Sequence, residues 1–354
     1  MNKEFKRRQN QVLEILSIIA RKADERNERL VFLGGSAIQT AVLKEPKRLS
    51  VDLDIYYEGD AVELLKVLEP DYKIESRPAK RRDLFSYYKA EKGDALVKID
   101  IARFPISESG KPYEKKTLKS DGKQFELLVG TADYLLAAKL SALAIGTIGR
   151  KGESIDFLKD VSDAYWLIEE FKVPRSTWKY FAEICGIQNR IMKTNFKIME
   201  IVESAEKALQ ASALTDETKS TIKKGDFGNF TEYLFTGAMR RPEYWLMAMK
   251  VSTYLAAFKQ AGTEGASDLI TQIEENIGKY YADKKMGKEL TEKLMTEGLE
   301  WNQLHELILR EPKAFFYFYA FKHPEEFSKM GKENQSNKGP ISTNSRGVYN
   351  PRFS

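Results

Sequence analysis

Two aspartates separated by one residue, Asp52 and Asp54, are the side chains of this sequence best suited to chemistry. Apolar residues alternate with them in VDLDIYY, which predicts a β-strand over 51–57 with both carboxylates on one face. Neighbouring like charges repel and raise each other's pKa unless a cation neutralises them. The pair therefore indicates a bound divalent ion such as Mg²⁺, although a solvated face of an edge strand has the same pattern.

A glycine turn, Gly34-Gly35-Ser36, precedes the acidic strand and follows a short apolar strand pattern over 30–33. Good helix formers fill 37–43, so the segment predicts strand, turn and helix in succession. Glycine lets a phosphate approach the backbone, N–H groups at a helix start point at the anion, and the Ser36 hydroxyl lies at or near the N-cap. Taken alone, such a tripeptide is more often only a tight turn. Beside two carboxylates it favours a phosphate site.

Other charged residues follow on the next predicted strands. Asp100 emerges from ALVKIDIAR opposite the apolar face, where it either joins the first two acids or only faces solvent. A basic loop, RPAKRRD, lies between the strands predicted at 72–76 and 84–90. Its four cations either contact phosphates or are simply solvated, and they are Arg77, Lys80, Arg81 and Arg82.

Two helices are predicted after these strands. Thr131 is expected to cap the helix TADYLLAAKLSALAIG, in which Lys139 is the one cation and lies beside the apolar stripe. A lysine at such a position usually extends its ammonium group out of the core. In the second helix, 155–171, Asp160 and Asp163 are three positions apart and share a face.

Composition limits the class of protein. The 354 residues are 42% hydrophobic and 31% charged without a long apolar run, and the net charge of +5 permits a polyanionic partner without requiring one. The single cysteine, Cys185, excludes an internal disulfide, and two histidines make a zinc site improbable. The N-terminal segment has the pattern of an amphipathic surface helix rather than a signal peptide, which predicts a cytoplasmic protein and no membrane partner.

The secondary-structure pattern of the sequence changes along the chain. Residues 1–172 predict an α+β domain with a mixed sheet flanked by helices, including a hairpin at 115–128 that turns at Asp121-Gly122. Residues 173–330 predict an all-α domain, and 331–354 a disordered tail. The aromatic run AFFYFYAF at 314–321 either stacks on unpaired bases or packs in a core, and core packing is favoured because rings cover every face.

Four segments together resemble the AbiEii/AbiGii toxin family of nucleotidyltransferases, a branch of the DNA-polymerase-beta-like superfamily. The resemblance covers about 25–172. Its motifs are GGSA with the following helix, KRLSVDLDI with Arg48, Ser50, Asp52 and Asp54, YLLAAKLSALA with Lys139, and GRKGESIDFLKDVSDAYWLI with Arg150, Lys159, Asp160 and Asp163. The interval KEPKRLSV between the glycine turn and the acids is longer than the family's usual pattern.

The resemblance implies a nucleotidyltransferase-type sheet, an NTP substrate and Mg²⁺, with Mn²⁺ as an alternative ion. Asp52 and Asp54, joined by Asp100 if that residue converges on them, would hold two ions about 3.5 to 4 Å apart. Gly34, Gly35, Ser36, Arg48 and Ser50 would bind the nucleotide. Lys139, paired with or oriented by Asp160, would remain a cation near the phosphates.

The functional hypothesis is a Mg²⁺-dependent transfer of NMP to an RNA such as a tRNA 3′ end, by the toxin of a toxin–antitoxin or phage-defence pair with a cognate antitoxin. A transferase for a small-molecule or protein hydroxyl is the first alternative. The second is a catalytically silent fold that only binds a nucleic acid or a protein. Clustered like charges argue against the silent fold, because binding alone gives no reason to keep them.

Overall fold

The computed structural model of this protein describes residues 3–77, 84–103, 111–149, 154–213, 221–222, 224–235 and 237–336. The strands are β1 (Leu30–Leu33), β2 (Asp52–Tyr57), β3 (Lys73–Arg77), β4 (Phe85–Lys92), β5 (Ala95–Ala102), β6 (Tyr113–Ser120) and β7 (Lys123–Gly130). The helices are α1 (Lys3–Glu25), α2 (Gly34–Ala37), α3 (Ala61–Leu65), α4 (Ala132–Ala142), α5 (Ser154–Phe171), α6 (Arg175–Met192), α7 (Ile198–Ser212), α8 (Lys224–Thr231), α9 (Arg241–Tyr280), α10 (Lys284–Thr296), α11 (Trp301–Arg310), α12 (Pro312–Lys322) and α13 (Pro324–Ser336).

The strands form one mixed sheet in the order β3-β4-β5-β2-β1-β7-β6. β2 is antiparallel to β1 and parallel to β5, so the acidic strand is central and has a neighbour on each side. The predicted α+β class and mixed sheet are confirmed. The predicted hairpin is also present as β6 and β7, and Asp121 and Gly122 have the positive φ angles, 48° and 77°, that such a turn needs.

The amphipathic pattern of the N-terminal segment gives α1 one buried face. Val12, Ile15, Leu16 and Ile19 are fully buried, and α1 packs against β5, β6 and β7. Apolar residues at helical spacing thus cover one side of the sheet. Among the described residues, no helix is long and apolar enough to cross a bilayer.

The described residues after β7 are helical, as their sequence pattern predicts. The aromatic run lies in α12, where Phe315, Phe316, Tyr317 and Tyr319 are buried, so it packs in the core as favoured. α12 and α13 pack against α9. α9 is interrupted at Gly262, whose φ of 66° and ψ of −172° are not helical.

Three local features differ from the sequence predictions. The helix predicted at 37–43 is only α2 followed by a wider π-helical turn at 38–42. Thr131 is the N-cap residue of α4 as predicted, but its hydroxyl makes no hydrogen bond to the helix, and the Tyr134 N–H bonds to the Asp133 carboxylate instead. Residues 331–336 end α13, and the rest of the predicted disordered tail lies outside the described residues.

Candidate active site

The parallel pairing of β2 with β5 sets the three predicted acids side by side. Asp54 lies opposite Asp100, and Asp52 lies opposite Lys98. Because alternate residues of a strand share a face, Asp52, Asp54 and Asp100 all project from one face of the sheet. They are half-buried and line one cavity of about 520 Å³. The structure therefore places Asp100 next to Asp52 and Asp54.

The glycine turn approaches this acidic row closely. Gly34 has a φ of 71°, and a Cβ added there would lie 1.9 Å from Asp54 Oδ2. A Cβ at Gly35 would lie 2.6 Å from Nη2 of Arg48. Both glycines are thus required by space, and Gly34 also by its left-handed backbone. They let α2 begin in contact with a carboxylate and a guanidinium.

The two serines predicted to bind the nucleotide have different surroundings. Ser36 is fully buried, and its hydroxyl donates a hydrogen bond of 2.5 Å to the Asp52 carbonyl oxygen. This bond fastens the glycine turn to β2, and Ser36 does not line the cavity. Ser50, by contrast, lines the cavity with Gly35 and Arg48. A direct phosphate contact therefore suits Gly35 and Ser50 better than the Ser36 hydroxyl.

A buried ion pair joins Arg48, which lines the cavity, to Asp163, which does not. Arg48 is 3% exposed and its Nε and Nη2 donate to Oδ1 and Oδ2 of Asp163 at 2.9 and 2.6 Å, while Asp163 is fully buried. Gln39 also donates to Asp163 Oδ1 at 2.9 Å, and its own Oε1 accepts from the Arg48 N–H. Burial alone would raise the pKa of Asp163, but Arg48 and Lys139 outweigh it and hold the pKa below its ordinary value. Asp163 is therefore a buried anion that fixes the positions of Arg48 and Gln39.

Lys139 contacts Asp163 and also lines the cavity. Its Nζ lies 2.5 Å from Asp160 Oδ1 and 2.9 Å from Asp163 Oδ2. Burial acts to lower the pKa of Lys139, but the two carboxylates more than offset it and the pKa is raised. Lys139 thus stays charged at neutral pH where it lines the cavity, and the predicted pairing with Asp160 is present.

Arg77 of the basic loop and Lys159 of the last motif, both named in the sequence analysis, line the cavity. Four further lining residues were not singled out from the sequence, and they are Arg8, Lys98, Asp156 and Tyr233. Burial and the nearby Arg48 lower the pKa of Lys159. Its Nζ lies 4.4 Å from the centre of the Tyr233 ring, within range of a cation–π contact.

Tyr233 reaches the cavity through a backbone contact between distant parts of the chain. The Leu49 N–H donates to the Tyr233 carbonyl at 2.7 Å, and the Phe235 N–H donates to the Lys47 carbonyl at 3.1 Å. Segment 233–235, between α8 and α9, thereby pairs with the loop that carries Arg48. No short-range sequence signal indicates this contact, since the partners are far apart in the chain.

The acidic row fits a divalent cation only in part. The described residues contain no group of three or more Asp, Glu, His or Cys side chains already arranged around an ion. Mg²⁺ commonly uses one or two carboxylates together with substrate phosphates and water rather than a complete protein cage. The oxygen donors of Asp52, Asp54 and Asp100 are suitable in type, so the phosphates would have to complete the shell. Lys80, Arg81, Arg82 and Arg150 lie outside the described residues.

Comparison with known proteins identifies the relatives of this chain. Residues 17–245, more than half of the chain, match the model of the family described as "Nucleotidyl transferase AbiEii toxin, Type IV TA system". No curated protein sequence is significantly similar to the chain.

Three solved structures are also similar. JHP933 from Helicobacter pylori has 15% identity over 71% of this chain and 95% of its own, with a TM-score of 0.40. MenT4, a nucleotidyltransferase toxin from Mycobacterium tuberculosis, has 14% identity over 74% of this chain and 92% of its own, with a TM-score of 0.47. The antibiotic-resistance factor ANT(2'')-Ia has 15% identity over 52% of this chain and 95% of its own, with a TM-score of 0.36.

Proposed function

Because the chain belongs to the AbiEii family of nucleotidyltransferase toxins from type IV toxin–antitoxin systems, we propose that it transfers NMP from an NTP to an RNA hydroxyl, such as a tRNA 3′ end. The enzyme class is that of the family. One observation carries the proposal for the site: Asp52, Asp54 and Asp100 project from one face of the sheet into a single cavity, which is also lined by several cations. An acceptor oxygen would bond to the α-phosphorus, pyrophosphate would leave, and the hydroxyl proton would be released.

The cationic wall supports binding of the triphosphate. Arg8, Arg77, Lys98, Lys139 and Lys159 line the same cavity as the carboxylates. Cations at such positions neutralise the phosphate oxygens and the charge that develops on the leaving group. Gly35 would let the phosphates approach the backbone, and Ser50 would donate a hydroxyl. Arg48 is held by Asp163, so it would act on the phosphates mainly through its charge.

We assign the metal-binding role to Asp52, Asp54 and Asp100, with Mg²⁺ as the preferred ion and Mn²⁺ as the alternative. A bound ion would neutralise the triphosphate and lower the pKa of an attacking hydroxyl. The chain itself positions the carboxylates, since the Asp52 carbonyl is fastened to Ser36 and Asp54 packs against Gly34. Lys139, oriented by Asp160, would hold a positive charge at the phosphates.

The partners follow from the family rather than from a contact in the structure. The family is described as a toxin of type IV toxin–antitoxin systems, so we infer a cognate antitoxin that counteracts this chain, and we infer a cytoplasmic site of action. RNA as the acceptor is supported by the basic residues around the cavity.

The test is transfer of label from each α-labelled NTP to total RNA by the wild type and by Asp52→Asn/Asp54→Asn. We expect loss of transfer by at least about 1,000-fold in this double variant, because two of the three proposed carboxylate ligands lose their charge. A matched control, Asp71→Asn/Asp94→Asn, changes two exposed acids outside the cavity and should retain transfer. Thermal unfolding would show that both variants are folded.

Two outcomes would contradict the proposal. Persistent transfer by Asp52→Asn/Asp54→Asn would remove these residues from the site. Incorporation that does not depend on RNA would replace the RNA acceptor by a protein or small-molecule hydroxyl, while leaving the enzyme class unchanged.

A further inference from the structure

A second cavity, of about 210 Å³, adjoins the first and shares Asp54, Asp100 and Lys139 with it. Its other lining residues are mostly apolar or aromatic, and they are Leu33, Gly34, Ile55, Phe85, Tyr87, Ala102, Tyr134, Leu135, Ala138 and Gln188. The two cavities therefore meet at the carboxylates and differ in what surrounds them.

Strand register explains this difference. In one row across the sheet, Lys89 lies opposite Lys98, which lies opposite Asp52. In the next row of the same face, Tyr87 lies opposite Asp100, which lies opposite Asp54.

One step further along the same face, Phe85 lies opposite Ala102. This face of the sheet thus changes from cationic through acidic to aromatic along the strand direction.

The geometry of phosphoryl transfer suggests a function for the order of cationic, acidic and aromatic side chains along this face. The attacking and leaving oxygens lie roughly in line on opposite sides of the phosphorus. If pyrophosphate leaves toward the cationic cavity, the acceptor hydroxyl must arrive from the opposite side of Asp54 and Asp100. That side is the aromatic cavity.

The aromatic cavity has the composition of a base-binding site. The rings of Phe85 and Tyr87 are nearly parallel, with an interplanar angle of 7° and centroids 6.1 Å apart, and both are half-buried. Unpaired bases stack on such rings with little dependence on sequence. Gln188 adds an amide at the cavity wall, which can donate to and accept from a base edge.

We propose that the Phe85–Tyr87 cavity binds the terminal unpaired base of the RNA acceptor and so presents its hydroxyl to the α-phosphate. This inference rests on the proposed function, since it takes the cationic cavity as the triphosphate site. It assigns acceptor recognition to β4 and α6, and donor recognition to the opposite side of the carboxylates.

The test measures binding and kinetics separately. A single-stranded oligoribonucleotide with a 3′-terminal 2-aminopurine is titrated with protein in the absence of NTP, and stacking is read as fluorescence quenching. We expect the wild type and Tyr87→Phe to quench the probe, and Phe85→Leu, which keeps the apolar bulk but removes the ring, to bind it about 10-fold more weakly. In transfer assays Phe85→Leu should raise the KM for RNA by a similar factor and leave the KM for NTP unchanged.

The matched control is Tyr281→Ala, which removes a 40%-exposed ring outside this cavity and should change neither constant. A higher KM for NTP with an unchanged KM for RNA would overturn the proposal and place the donor base in this cavity. Quenching that is unchanged in Phe85→Leu would also overturn it. The fluorescence assay needs no turnover, so failure of the transfer reaction would be seen separately as quenching without product.

Discussion

Replacing Asp163 by Asn should destabilise the protein more than any other single charge removal around the cavity. Asp163 is fully buried and accepts from Gln39, from two nitrogens of Arg48 and from Lys139. Asn keeps the shape of the side chain but removes its charge. The buried cations Arg48 and Lys139 are then left with Asp160 as their one shared carboxylate. Removing one partner of a buried ion pair costs about 3–5 kcal/mol. The four contacts are not summed, because they belong to one network.

Urea unfolding followed by tryptophan fluorescence measures this cost. With an m-value of about 3 kcal/mol per M, the midpoint should fall by at least about 1 M. Asp160→Asn is the matched control, because Asp160 is on the same helix and also contacts Lys139 but is 14% exposed. We expect it to cost less than about 2 kcal/mol while reducing transfer strongly.

A double-mutant cycle tests the assigned cause. Arg48→Met/Asp163→Asn should cost less than the sum of the two single changes by about 1–3 kcal/mol, because Arg48 is no longer left uncompensated. The reasoning is refuted if Asp163→Asn costs less than about 1 kcal/mol, or if the two changes are additive.

Three further predictions concern the same structure. Gly34→Ala should destabilise the protein by well over 1 kcal/mol and abolish transfer, because the added Cβ would collide with Asp54. Gly122→Ala is the control, since Gly122 has a similar φ of 77° but no atom within 4 Å of an added Cβ, and it should cost only about 1 kcal/mol in urea unfolding. Equal costs would contradict the steric argument. The pKa of Asp163 is lower in the folded protein than its unfolded value of about 4, so its ionised form stabilises the fold above that pH. This stabilisation is lost as the pH falls through the folded pKa, and stability between about pH 5 and 2 should therefore fall less steeply in Asp163→Asn than in the wild type. Parallel curves for the two proteins would contradict this prediction. Burial raises the pKa of Cys185 to about 12, so the native thiol should react with Ellman's reagent far more slowly than the unfolded thiol, and stability should decline above the ordinary thiol pKa of about 9; rapid native labelling would show that the thiol is accessible.

Local pattern was sufficient for much of the fold. The alternation in VDLDIYY places Asp52 and Asp54 on one face, and the helical spacing of Val12, Ile15 and Leu16 gives the buried side of α1. Asp121-Gly122 correctly predicts the hairpin turn. These features depend on a few neighbouring residues, so their physical cause is contained in the segment itself.

The remainder depends on pairing between distant segments. Whether Asp100 joins the other two acids or faces solvent depends on the register of β5 against β2, which the sequence does not show. The sequence predicts only that Asp163 shares a helix face with Asp160. Its ion pair with Arg48 was missed because the two residues are far apart in the chain. Tyr233 had no local signal at all. At Thr131 the residue type was right for a cap, but the neighbouring Asp133 bonds the helix N–H instead.

The pairing of residues 47–49 with segment 233–235 has a consequence for synthesis. A nascent chain on the ribosome can form the sheet and its acidic row long before segment 233–235 has been made. The cavity wall that includes Tyr233 is completed only when that segment leaves the ribosome and folds back. Translation therefore sets the earliest moment at which this enclosure exists, and every truncated product that stops before α8 lacks it.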